Sequence, residues 1–140
     1  MKPWVTYALV SMFFAGFTSV IAKVGLEGIS GELGLVIRTA FVFFLVLSFA
    51  AAFVPTAEWG HLNRQNCLWL GISGVTTTLS WIFYYKALKT GEVSTIALID
   101  KGSMVVAVAL AALLLKEQIT WKTLLGGALM VSGLLVIARK

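Results

Sequence analysis

Three groups of residues in this chain could do chemistry, and all of them lie inside long apolar stretches. Asp100 and Lys101 are adjacent. A carboxyl can take up and release a proton, and an ammonium can hold an anionic group or an internal carboxylate. Neighbours on a helix point about 100° apart, so the two need not pair with each other. Arg38 could touch a substrate, or reach the lipid headgroups from near a helix end as an interfacial anchor. Ser73, Thr77, Ser80 and Tyr84 recur at helical spacing and share one face, flanked by Thr76, Thr78, Trp81 and Tyr85. Hydroxyls on one face suit the wall of a wet cavity. They also suit interhelical hydrogen bonds, worth about 0.6 kcal/mol on average in membranes. Trp81 is the residue suited to apolar or cation–π contact with a substrate. For Asp100 and Lys101 the alternatives are an ion pair that only fixes helix packing, or an interfacial pair on a helix starting near Ile99.

What must position these residues follows from composition. The 140 residues are 59% hydrophobic and only 12% charged, with a mean hydropathy of +0.95. A soluble globule needs far more polar surface, and disorder needs a polar, charged chain. The single cysteine, Cys67, excludes an intrachain disulfide framework and a cysteine-based zinc site. An integral membrane protein of one small domain, residues 1–140, remains. A spanning helix needs about 20 mostly apolar residues, and five stretches qualify: 4–22, 34–54, 67–86, 94–115 and 120–138. Lys2 and Lys23 bound the first, Pro55 stops the second, and Lys116-Glu117 and Arg139-Lys140 close the last two. Barrel strands would be about 10 residues of alternating polarity, so the class is all-α. The first stretch could be a signal peptide cleaved after Ala22. Its apolar core is longer than such segments carry, and four more spans follow it.

The connections are short, so function is expected inside the bilayer. Among enzyme signatures there is no nucleophile elbow, metal-ligand cluster or phosphate loop. His61 stands alone beside Trp59-Gly60. No enzyme activity, cofactor, metal or nucleic-acid partner is expected. The net charge of +5 sits mainly at helix ends, as interfacial anchoring does, and Trp4, Trp59 and Trp121 read as belt residues. With five spans, Lys2, Arg64, Lys116 and Lys122 fall on one side, and Lys23, Lys86, Lys89, Arg139 and Lys140 on the other. Orientation follows the difference in Lys and Arg between sides. Here it is nearly nil, so a weakly fixed orientation and a dual topology with antiparallel pairing both stand. Small residues form stripes at Ser11, Ala15 and Ser19, at Ser103, Ala107 and Ala111, and around Gly126-Gly127, Ala128 and Ser132. Such stripes mark faces where helices approach closely.

The second half carries a recognisable pattern. Tyr84-Tyr85-Lys86-Ala87-Leu88 ends the third span, and Leu114-Leu115-Lys116-Glu117 closes the fourth. Gly126-Gly127-Ala128-Leu129-Met130 through Gly133 runs along the fifth, with Met130 where the pattern has Ile. This resembles an EamA-type repeat of the drug/metabolite transporter superfamily. The first span and Arg38 match that pattern too, so the resemblance covers essentially the whole chain. Most relatives carry two such repeats, inverted; this chain is similar to the single-repeat bacterial and archaeal group. The resemblance implies a secondary transporter or exporter of small metabolites or drugs, with helices 1, 3 and 4 lining a central cavity. The usual helix-4 proline is replaced by the Asp100-Lys101 region. Sugar-phosphate relatives hold phosphate with fourth-helix lysines, to which Lys101 is comparable. The first span has no acid before Lys23, so the glutamate coupling of four-helix multidrug relatives does not carry over.

Five helices can hardly enclose a pathway, and many transporters place the site between inverted repeats. A multi-pass inner-membrane antiparallel homodimer is therefore expected, moving a small molecule by alternating access. Asp100 would be proton-linked and Lys101 the anion or partner contact; Ser73, Thr77, Ser80, Trp81 and Tyr84 would line the path. A dual-topology ion channel and a non-transporting partner subunit are the alternatives.

Overall fold

The computed structural model describes residues 3–138, and every described element is an α-helix: α1 (Pro3–Gly25), α2 (Gly31–Phe53), α3 (Thr56–Trp59), α4 (Arg64–Thr90), α5 (Val93–Asp100), α6 (Ser103–Leu114) and α7 (Trp121–Ala138). Hydrocarbon offers the backbone no hydrogen-bond partner, which makes helices the form for such apolar runs. Among the described residues four helical stretches are long and apolar enough to cross a membrane: α1, α2, α4, and α5 with α6 taken together. α7 is apolar but shorter.

Local chemistry sets the ends. Ser30 is extended and its Oγ accepts from Leu33 N at 3.2 Å, starting α2. Pro55 holds Val54 extended and ends it. Asn63 Oδ1 accepts from Asn66 N at 2.8 Å, so α4 starts about a turn earlier than the apolar run at Cys67 suggests. Thr120 Oγ1 accepts from Thr123 N at 3.2 Å and opens α7. The connection 55–66 contains the short helix α3, which the sequence reading left as plain connection.

The chain divides after Thr90 into two units. The first is organised by α2 against α4. Leu26, Leu35, Tyr85 and Leu88 are its buried hydrophobics. At Gly31 the α2 backbone lies against that of α4: a Cβ there would lie 2.8 Å from the Tyr85 carbonyl oxygen. Backbone cannot step aside as a side chain can. Gly31→Ala is therefore expected to destabilise by about 1–3 kcal/mol, as overpacking does. Gly74, with nothing within 4 Å of its Cβ position, is the matched control. Gly74→Ala should be neutral or stabilising by up to about 1 kcal/mol. Melting temperatures of the two variants in one detergent check the contrast.

In the second unit, α7 packs on α5 and α6. The expected continuous helix 94–115 is interrupted: α5 ends at Asp100 and α6 begins at Ser103. The intervening turn is tightened, with Gly102 N donating to Ile99 O at 2.9 Å and Val105 N to Gly102 O at 3.0 Å, a 3₁₀ pattern. Gly102 explains the location. A Cβ there would meet Ile99 O at 2.9 Å and Leu134 Cδ1 of α7 at 3.0 Å. After α6, Lys116 adopts a left-handed backbone (φ 55°), and Glu117 N reaches back to Ala111 O.

Most large apolar side chains point outward, among them Trp4, Phe13, Phe44 and Leu113. Water would not tolerate such a surface. A bilayer does, and with it the chain reads as a multi-pass membrane protein.

Candidate functional site

In the first unit the polar groups gather between α1, α2 and α4. Arg38 lies seven residues into α2, about 10 Å along its axis. Its guanidinium sits over the Trp81 ring, 4.3 Å from the centroid, with the Tyr85 ring at 6.0 Å. The side chain thus turns across to α4, and the π-face of Trp81 is taken by this chain's own cation. Arg38 Nη1 is buried and has no hydrogen-bond partner. Arg38 also lines a cavity of about 580 Å³ walled largely by α1 and α2, with Phe14, Phe17, Ile21, Ile37 and Phe41 in the lining.

The hydroxyl face divides by function of its bonds. Tyr84 donates to Ser19 Oγ of α1 at 2.7 Å, linking α4 to α1 at that point. Thr77 donates to the Ser73 carbonyl at 2.8 Å, and Thr76 to the same oxygen at 2.9 Å. Those bonds fold back onto their own helix, a mode that costs the helix little and can bend it. Ser73 and Ser80 are exposed on the single chain. Thr78 and Trp81 line a second cavity of about 670 Å³ between α2 and α4.

The sequence reading missed the charged clamp at one end of this unit. Lys23 does not merely bound the first helix, which runs on to Gly25. Its Nζ donates to the carbonyls of Leu88 and Lys89 at the end of α4. Lys89 Nζ in turn donates to Leu26 O at 3.0 Å, and Lys86 pairs with Glu32 at 3.4 Å. Lysines near helix C-termini satisfy carbonyls that the helix leaves open. The signal was present in their positions near the ends of two helices, but periodicity says nothing of which ends meet.

Asp100 and Lys101 belong to the second unit. They do pair: Lys101 Nζ is 3.6 Å from Asp100 Oδ2. The hundred-degree separation is overcome by the tightened turn and by the reach of the lysine stem. The helix starts at Val93, not near Ile99, so the pair lies about 10 Å inside the α5–α6 stretch. Both side chains are substantially exposed on the single chain, 50% for Lys101 and 38% for Asp100.

The chain as a whole has counterparts among known proteins. The family model described as EamA-like transporter family matches residues 2–139. The chain belongs to that family. It is also 33% identical to an uncharacterized transporter in the cobO 3′ region of a Sinorhizobium species, over 98% of this chain and 97% of that protein. No solved structure matches the chain. An EamA-like chain of apolar helices is a membrane transporter, and its polar groups between helices are to be read in that light.

Proposed function

We propose that this EamA-like protein is a secondary transporter of a small organic solute, working by alternating access as an antiparallel homodimer in the cell's inner membrane. All five apolar segments cross the bilayer in this reading, with α7 as the fifth, and residues 1–140 act as one domain. The observation that carries it is the Asp100–Lys101 pair, set in the break of a spanning helix and exposed on the single chain. Charges at that depth are expensive in lipid and face a water-filled cavity or a partner. Broken helices at the substrate level are a recurring device of transporters built from inverted repeats. A second, inverted copy supplies the missing repeat. The relative in Sinorhizobium is matched over 97% of its own length, so it too is about one repeat long.

In this mechanism Asp100 takes up and releases the coupling proton. Lys101 holds Asp100 while it is ionised and is released to an anionic or partner group when it is protonated. Ser73, Thr77, Ser80, Trp81 and Tyr84 line the path, and the hydroxyl of Tyr84 breaks and remakes its bond to Ser19 as α1 and α4 shift.

The test is counterflow in proteoliposomes preloaded with an unlabelled solute from a panel of organic acids, amines and amino acids. The carrier reading expects saturable uptake of the labelled form that the internal solute accelerates. A channel would give far faster flux with no such exchange, and a partner subunit would give none.

A further inference from the structure

We propose that the cavity beside Arg38 binds the head of an amphiphilic anion, a carboxylate or phosphate carried on an apolar or aromatic body. This deepens the transporter reading and rests on it for the step that follows binding. Guanidinium stays charged at any accessible pH, so Arg38 cannot relieve a buried, unpartnered N–H by losing a proton. Its guanidinium carbon lies 4.3 Å from the Trp81 ring centroid and 6.0 Å from that of Tyr85. Arg38 is part of the cavity lining, and its buried Nη1 has no hydrogen-bond partner of its own. A guanidinium edge matches the two oxygens of a carboxylate or phosphate.

No acid lines the cavity. Glu32, the nearest carboxylate along α2, is held by Lys86 at 3.4 Å. The cavity therefore carries a net positive charge without an internal counterion, which excludes cations and favours anions. Its volume of about 580 Å³ falls within the roughly 300–1,000 Å³ of small-molecule sites. Phe14, Phe17, Phe41 and Ile37 suit an apolar body. The contact with Trp81 at 4.3 Å turns the guanidinium toward α4, so the cation is placed before the ligand arrives.

Such an anion can come from solution or from a lipid headgroup, and two arms separate the sources. The full chain in phosphatidylcholine nanodiscs is titrated calorimetrically with 2-naphthylacetate and with its neutral amide. In parallel, phosphatidylglycerol retained through purification is counted by mass spectrometry. The expected result is binding of the acid but not the amide, weakened about tenfold or more in Arg38→Gln, as loss of a charge-assisted hydrogen bond implies. Retention of phosphatidylglycerol that is lost in Arg38→Gln, without naphthylacetate binding, also supports the site and names lipid as its source. Equal binding of acid and amide, or ligand and lipid behaviour unchanged in Arg38→Gln, overturns the proposal. If Arg38→Gln fails to fold, Arg38→Lys carries the comparison. It keeps the charge but not the fork, and is expected to weaken acid binding several-fold. Binding is read here without flux: anion binding without counterflow counts against the transporter reading alone, and counterflow without anion binding counts against this site alone.

Discussion

Asp100→Asn should abolish proton-coupled solute flux while leaving the protein folded. Asparagine keeps the size and hydrogen-bonding capacity of the side chain and removes its ability to titrate. Asp100 is the last residue of α5, where the helix dipole disfavours a negative charge, and Lys101 at 3.6 Å offsets that disadvantage. The asparagine carbonyl oxygen can still accept a hydrogen bond from Lys101, so the lysine keeps a partner. The measurement is solute accumulation driven by an imposed pH gradient in proteoliposomes, read with a proton-sensitive dye inside. Wild type should accumulate solute and dissipate the gradient; Asp100→Asn should do neither. Counterflow at equal pH separates coupling from movement. A variant that still exchanges solute but ignores the gradient has lost only the coupling proton. Wild-type accumulation in Asp100→Asn would remove Asp100 from the mechanism.

The helices were legible in the sequence because hydrocarbon leaves the backbone so little choice. Apolar run length, with Pro55 as a stop and charged residues at the ends, gives bounds close to those of α1, α2, α4 and α7. The interruption at Lys101-Gly102 was not read, because a single glycine in an apolar helix has no necessary consequence. Its place in this break is specific, since Leu134 of α7 takes the space a Cβ would need. Gly31 was passed over for the same reason: its meaning lies in the Tyr85 carbonyl, more than fifty residues away. Among the site candidates, Arg38, Trp81 and Tyr84 were each visible as polar or aromatic groups in apolar runs. That Arg38 stacks on Trp81 and Tyr84 bonds Ser19 are facts of helix pairing, which spacing along one helix cannot encode. Of the small-residue stripe on α1, Ser19 meets α4 through Tyr84, while Ser11 and Ala15 are exposed.

The antiparallel pair is the claim on which the mechanism turns, and its second large effect is all-or-none. The structure groups Lys23, Lys86 and Lys89 at one end of the first unit, on the side that also receives Arg139 and Lys140 if five segments cross. The opposite side holds Lys2, Arg64, Lys116 and Lys122. Five against four is a bias too small to impose one orientation, since topology follows the difference in Lys and Arg near the helix ends. Copies should therefore insert both ways in comparable numbers, which is what an inverted homodimer requires. The measurement is a pair of fusions to Lys140, one to a reporter active only in the cytoplasm and one to a reporter active only outside it. Both reporters should be active, each at a substantial fraction of a control of fixed orientation. Activity of only one would show a single orientation and contradict the antiparallel homodimer.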